Sequence, residues 1–161
     1  MVIRTGIGYD VHRFATGRSL ILGGVEIPHA KGLDGHSDAD VLAHAIADAV
    51  LGAVGERDIG HHFPNTDESI RGISSLEILR QISFLLAGQN TRVINVDATL
   101  IAEAPKIAPH VATMRANIAE ALGIPIARVG VKATTNERMG FLGRGEGIAA
   151  IAVAGVEQAD A

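Results

Sequence analysis

The stretch Ile148-Ala149-Ala150-Ile151-Ala152-Val153-Ala154 constrains the fold more than any other part of the chain. Every position is apolar, so as a strand it has no solvent side, and both of its faces must be buried. A chain of 161 residues is most simply one domain around one core, here residues 1–161. In so small a domain, one face of this strand is covered from within and the other by a partner subunit. Aromatic residues are only 3% of the chain against 47% hydrophobic residues, so the core is built from Ala, Val, Ile and Leu.

Residues 2–14 alternate weakly and read as a strand. Leu20 to Pro28 reads as a second extended stretch, broken by Gly23-Gly24. A helix is expected from about Asp38 to Val54, with Ser37 as N-cap and Asp40 completing a capping box. Val41, Leu42, Ala45, Ile46, Ala49, Val50 and Ala53 form its apolar stripe, and Asp40, His44 and Asp48 share another face. Residues 56–73 read as a loop. A second helix runs from Ser74 or Ser75 to about Ala87, closed by Gly88. Val93 to Ala102 is a strand, and a third helix begins near Pro109 and stops at Gly123. Val129–Thr134 and Gly147–Val156 complete the strands. Strands and helices do not alternate strictly, which favours an α+β two-layer sandwich, with helices on one face of a mixed sheet, over a doubly wound fold.

A net charge of −4, with no basic run, no Trp and one Tyr, argues against a nucleic-acid surface. No apolar run is long enough to span a bilayer. The N-terminus enters a strand pattern directly, without the marks of a signal or transit peptide, so the expected location is cytoplasmic. Cysteine is absent, so any metal must be held by His and carboxylates.

Asp10 and His12 are two residues apart, which on a strand puts both side chains on one face, roughly 6–7 Å apart along the backbone. With His44 they make one carboxylate and two imidazoles, a set that leaves a fourth tetrahedral position open, as a catalytic zinc requires. The same residues also fit a polar strand face and a helix. Asp48, one turn after His44, can accept the free ring N–H of a metal-bound imidazole or hold a neighbouring group. Gly35-His36-Ser37 before the helix suits an anion, or serves as an ordinary N-cap. Thr134-Thr135-Asn136-Glu137, leading into Gly140-Phe141-Leu142-Gly143-Arg144-Gly145-Glu146-Gly147, suits phosphate with a divalent cation, or forms a long hairpin loop. It is not a P-loop, and Gly6-Ile7-Gly8 is not a dinucleotide fingerprint. Lys106, in Ala102-Glu103-Ala104-Pro105-Lys106, can sit over a phosphate.

These pieces occur in a particular order. Gly8-Tyr9-Asp10-Val11-His12, Leu22-Gly23-Gly24-Val25, Gly35-His36-Ser37-Asp38-Ala39-Asp40, Asp58-Ile59-Gly60 and Phe63-Pro64-Asn65-Thr66-Asp67 come first. Ala104-Pro105-Lys106, Lys132-Ala133-Thr134-Thr135 and Gly143-Arg144-Gly145-Glu146-Gly147 follow. Together, over nearly the whole chain, they resemble the 2-C-methyl-D-erythritol 2,4-cyclodiphosphate synthase family of the non-mevalonate isoprenoid pathway. Asn136 stands where many members carry Thr, and Asn65 where Asp is common.

The resemblance implies a phosphorus–oxygen lyase acting by metal-assisted intramolecular phosphoryl transfer, and a homotrimer whose sheets pack around a three-fold axis with active sites between chains. It implies zinc, one per chain, on Asp10, His12 and His44, and Mg²⁺ or Mn²⁺ on Glu137 with substrate present. His36, Ser37, Asp58, Ile59, Gly60, Phe63, Pro64, Asn65, Thr66 and Asp67 would surround the methylerythritol phosphate. Ala102, Ala104, Lys106, Ala133, Thr134 and Thr135 would form the cytidine-diphosphate side. Phe141, Arg144 and Glu146 would line the axis, where family members can hold an isoprenoid diphosphate. His36 and Thr135 are the expected donors to developing charge. A metal-dependent phosphohydrolase and a non-catalytic isoprenoid-diphosphate-binding trimer stay open as other classes.

Overall fold

In a computed structural model that describes residues 1–159, strand β1 (Val2–Ala15) follows the expected alternation. Gly6, Gly8, Asp10 and His12 face the helices, while Ile3, Ile7, Tyr9 and Val11 face the other way and are exposed. Gly23 and Gly24, both at positive φ, turn β2 (Leu20–Leu22) into β3 (Val25–Ile27) as a two-residue hairpin. The short strand β4 (Gly32–Leu33) pairs with the end of β1.

Helix α1 (Val41–Ala53) starts later than its sequence suggests. Asp40, not Ser37, is the N-cap: its carboxylate accepts from Ala43 N at 3.1 Å. The same carboxylate accepts from Gly23 N at 3.0 Å and Gly24 N at 2.8 Å, so the glycine hairpin and the helix share one cap. Ser37 is thereby free to turn elsewhere. Burial extends beyond the expected stripe to Ala43, Ala47 and Leu51. Residues 56–73 are more ordered than a loop: Asp58 caps α2 (Ile59–His62), and Asp67 caps a 3₁₀ turn at Glu68–Ile70. Helix α3 (Ser75–Gly88) includes Gly88 rather than ending before it, and Gln89 is its C-cap. Strand β5 (Thr91–Ile101) begins two residues before Val93 and is bulged between Val93 and Asn95. A 3₁₀ turn containing Pro109 leads into α4 (Val111–Leu122), which ends as expected on left-handed Gly123. Strand β6 (Val129–Thr134), the short helix α5 (Gly140–Gly143) and β7 (Gly147–Gln158) complete the chain.

The five-stranded sheet runs β4-β1-β7-β5-β6. Only the β5–β6 pair is parallel, so the sheet is mixed, as expected. Helices α1, α3 and α4 cover one face. Residues 135–146 join β6 to β7 across β5, so they are a crossover and not a hairpin loop. The last strand lies in the middle of the sheet. Its Ile148, Ala150, Ala152 and Ala154 are buried against the helices, but Ile151 and Val153 on the other face are 41% and 43% exposed. Within one chain, then, one of the two apolar faces is covered.

Strand β1 and helix α1 are pressed together by two glycines. A Cβ on Gly8 would stand 1.9 Å from Ala45 O, and one on Gly6 would stand 2.1 Å from Ala49 O. No side chain fits there, and this contact sets the distance between the two elements that carry Asp10, His12 and His44.

Candidate active site

Asp10 and His12 leave β1 on its helix-facing side and meet His44 from α1. Three donor atoms form a nearly equilateral triangle: His12 Nε2 to Asp10 Oδ2 is 2.9 Å, His44 Nδ1 to Asp10 Oδ2 is 3.1 Å, and the two nitrogens are 3.2 Å apart. Donors about 2.0–2.1 Å from a tetrahedral ion stand about 3.3 Å from one another, so the triangle is one face of such a site. His12 Nδ1 is 2.5 Å from the Asp34 carbonyl and must donate to it, which leaves Nε2 with its lone pair toward the triangle when the ring is neutral. Lone pairs and a carboxylate crowded this closely repel unless a proton or cation lies among them. The donor set therefore fits a divalent metal. Among the described residues, no other group of three such side chains is placed to hold one.

The titration of the triangle follows the same logic. Burial alone would raise Asp10, but when the His12 and His44 rings are charged their hydrogen bonds and positive charge outweigh it and hold the carboxyl well below its ordinary range. Burial would lower His12, but the Asp10 hydrogen bond and charge, helped by Asp34, push it up. Asp48 does not reach a ring nitrogen of His44. Of the two roles open to it, it holds a neighbouring group, accepting from Ile59 N at 2.8 Å and pinning the start of α2.

The other nitrogen of His44, Nε2, lies 3.1 Å from Ser37 Oγ and 2.9 Å from Ser75 Oγ. Ser75 in turn bonds the Asp38 carboxylate through both its N–H and its hydroxyl. Arg18 clamps the loop before α1, donating to the carbonyls of Gly35 at 2.5 Å and Ser37 at 2.6 Å. Asp34, Ser75, Asp38 and Arg18 had no signal in the local sequence, since each acts on a partner 17 or more positions away.

A cavity of about 250 Å³ opens beside the triangle. His36, Ser37, Ile59, Gly60, Phe63 and Asn65 line it, together with His12 and His44. Asp58, Pro64, Thr66 and Asp67 do not. Asp58 caps α2, Pro64 and Thr66 are exposed, and the Asp67 carbonyl accepts from His36 Nε2 at 3.0 Å. With that N–H engaged, only a charged His36 imidazolium has a second N–H to offer.

Ala102, Ala104, Lys106, Ala133, Thr134, Thr135 and Glu137 gather at the same end of the sheet but on its β6 side. His12 is level with Ile148, Ala149 with Ile101, and Ile101 with Thr134, so the two groups stand three strands apart, about 14 Å. The structure therefore does not bring Glu137 to the triangle of its own chain. Glu103 ties this second group together: its Oε1 accepts from Asn136 N at 2.8 Å and Arg138 N at 3.3 Å. Glu137 and Arg138 take left-handed φ, and Thr135 Oγ1 accepts from Glu137 N at 3.2 Å. Phe141 is exposed, and Arg144 pairs with Glu146 at 2.7 Å in a third group.

An α+β sandwich with a carboxylate and two imidazoles at the meeting of its first strand and first helix defines the class, and the chain belongs to the YgbB family, whose model matches residues 3–157. A curated relative from Alkaliphilus metalliredigens is 60% identical over 97% of this chain and 98% of its own length. It is named 2-C-methyl-D-erythritol 2,4-cyclodiphosphate synthase. Among solved structures, the bifunctional IspDF of Campylobacter jejuni is 42% identical with a TM-score of 0.93. It covers 99% of this chain, which spans 43% of the length of that protein. The Plasmodium falciparum IspF in complex with CDP is 34% identical with a TM-score of 0.85, covering 98% of this chain and 97% of its own. No described helix is long and apolar enough to cross a membrane.

Proposed function

We propose that the chain converts 4-diphosphocytidyl-2-C-methyl-D-erythritol 2-phosphate to 2-C-methyl-D-erythritol 2,4-cyclodiphosphate and CMP, as a cytoplasmic homotrimer with active sites completed between chains. The observation that carries this reading is the convergence of Asp10, His12 and His44 beside a cavity, in a chain whose relatives bear that name. In the reaction, an oxygen of the 2-phosphate bonds to the β-phosphorus as the bond from that phosphorus to the CMP oxygen breaks.

One anion attacks another, so charge must be neutralised. Asp10, His12 and His44 would hold zinc and Glu137 a Mg²⁺ or Mn²⁺ ion, which when bound supply positive charge and polarise the phosphorus. The chain's own groups do the rest. Ser37, Gly60 and Phe63 bind the methylerythritol phosphate, with Asp58, Ile59, Pro64, Asn65, Thr66 and Asp67 around them. Ala102, Ala104, Ala133 and Thr134 take the cytidine side, with Lys106 against phosphate. The hydroxyl of Thr135 and the ring of His36 donate to charge on the phosphates. Holding a flexible substrate so that the attacking oxygen lies in line can supply about 7–11 kcal/mol. Phe63, Ile70, Ile73 and Ile78 give the cavity an apolar wall that keeps water from competing.

Two features support the shared site: the separation of about 14 Å between the two groups, and the uncovered face of Ile3, Ile7, Tyr9, Ile151 and Val153. Sheets packed around an axis would cover that face and carry the Lys106 and Glu137 loops of one chain to the triangle of the next. Phe141, Arg144 and Glu146 would then line the axis, with room for an isoprenoid diphosphate. The test incubates the metal-loaded enzyme with substrate and identifies the products. Cyclic diphosphate with stoichiometric CMP supports the reading, free phosphate would mean a phosphohydrolase, and binding without turnover a non-catalytic trimer. Mixing inactive His12→Ala and Lys106→Ala variants should restore activity if sites are shared, and no recovery despite proven subunit exchange refutes sharing.

A further inference from the structure

We infer that Ser75 and Asp38 are positioning residues for the metal centre, forming a carboxylate–hydroxyl relay that keeps the proton of His44 on Nε2 and turns Nδ1 toward the ligand triangle. The inference rests on the metal reading given above. Its starting point is the Asp38 carboxylate, which can only accept. It takes Ser75 N–H at 3.0 Å on Oδ2, and Asp40 N–H at 3.2 Å together with the Ser75 hydroxyl on Oδ1. A serine hydroxyl has one proton. With that proton on Asp38, Ser75 Oγ can only accept from His44 Nε2, 2.9 Å away.

Ser37 lies on the same nitrogen and can accept from it, although its own proton is not committed elsewhere. Its Oγ already accepts from Ala39 N at 3.1 Å and lies 3.1 Å from His44 Nε2. Ser75 is 1% exposed and Ser37 8%, so little solvent competes for these contacts. His44 Nε2 thus faces Ser75 Oγ as an acceptor and carries the hydrogen, while Nδ1 points its lone pair at the corner shared with Asp10 Oδ2 and His12 Nε2. His12 is oriented by a simpler device, one carbonyl on Nδ1. The two imidazoles therefore present opposite nitrogens, Nε2 of His12 and Nδ1 of His44, and each is set by what its other nitrogen touches.

A purely structural role for Asp38 is also visible, because Ser74 makes no side-chain cap bond and Asp38 takes the first N–H of α3. Ser75→Ala separates the two roles: it removes the hydroxyl and keeps the N–H to Asp38. Zinc affinity is measured by competition with a chromophoric chelator. The tautomer of His44 is read in metal-free protein from two-bond ¹H–¹⁵N correlations, with the ring neutral.

In the wild type His44 should carry its proton on Nε2. Ser75→Ala should weaken zinc binding about 10–100-fold, as for other partners of metal-bound imidazoles, with unchanged circular dichroism. Asp38→Asn should do the same, because its amide can donate to Ser75 Oγ and release the hydroxyl proton toward Nε2. It should also shift the His44 proton to Nδ1. Zinc affinity within about twofold of wild type in a folded Ser75→Ala protein overturns the relay. So does a wild-type His44 with its proton on Nδ1. Should Ser75→Ala fail to fold, the wild-type tautomer and Asp38→Asn decide. Should the wild type take up no zinc, the metal reading falls, and the relay is judged on the tautomer alone.

Discussion

Replacing Gly8 by Ala adds one methyl group at the place where β1 and α1 touch through their backbones. The new Cβ would lie 1.9 Å from Ala45 O and 2.7 Å from Ala49 N. Neither atom belongs to a side chain that can rotate away, so the helix must retreat by about 1.5 Å to reach an ordinary contact. Two energies oppose each other. Removing a glycine from a strand interior favours folding by about 0.5–1 kcal/mol, whereas overpacking a core costs about 1–3 kcal/mol. With backbone as the obstacle the cost lies at the upper end, leaving a net loss of about 2 kcal/mol, or about 4–8 °C in Tm for a chain of this size.

The site suffers more than the fold. His44 is adjacent to Ala45 on the helix that moves, while Asp10 and His12 stay with the strand, so the 3.1 Å and 3.2 Å edges of the triangle lengthen together. Thermal unfolding at fixed protein concentration, with and without zinc, separates the two effects. Gly8→Ala should unfold earlier and gain less from zinc than the wild type. A variant with wild-type Tm and a wild-type response to zinc would refute the claim that this contact sets the ligand spacing.

Zinc should stabilise the protein more as pH rises from about 5.5 to 8, because the metal must displace the proton that Asp10 holds on His12. The sign follows from His12 being raised above 6.5. Its proton-linked contribution to the metal-free fold is complete below that value and is lost as pH rises through the folded one, while Asp10, lowered from 3.8, contributes above 3.8 and loses only on strong acidification. A zinc-induced Tm shift that is flat over this range would contradict it. Glu103→Ala should free the backbone at Asn136 and Arg138 and weaken CDP binding about tenfold by calorimetry, in line with about 1.5–3 kcal/mol for hydrogen bonds to a charged group, with zinc content unchanged. Ile151→Glu puts a charge in the middle of the uncovered sheet face and should give an inactive protein of monomer mass by light scattering, and an active trimer would show that this face is not an interface.

Sequence periodicity was enough to read β1, β6, β7 and α4, because their alternation or helical stripe and their glycine stops are local. The start of α1 was not readable from residues 37–41, since its cap is decided by a hairpin 16 and 17 positions earlier that engages Asp40 and leaves Ser37 to His44. Helix α2 is too short to show a period. The order of strands was hidden because it depends on which edges meet, not on any one segment. Asp10 and His12 stood out because a two-residue spacing is itself geometry on a strand. Ser75 and Asp38 did not, because they are 37 residues apart and nothing in either segment names the other.

The central position of β7 has a consequence for how the chain comes to be folded at all. The strand with two neighbours, β1 and β5, is the last to be made, and its partner β1 is the first, with Val2 paired to Gln158. Until β7 inserts, β1 and β5 have no hydrogen-bonded link to each other, and the helices have only part of a surface to rest on. Closing so long a loop is costly in entropy before any ladder repays it, which places folding toward the slow end for a domain of this size. On a ribosome, the sheet waits for its middle strand to emerge, and until then Ile3, Ile7 and Tyr9 sit on an unpaired edge open to any strand that will pair with it.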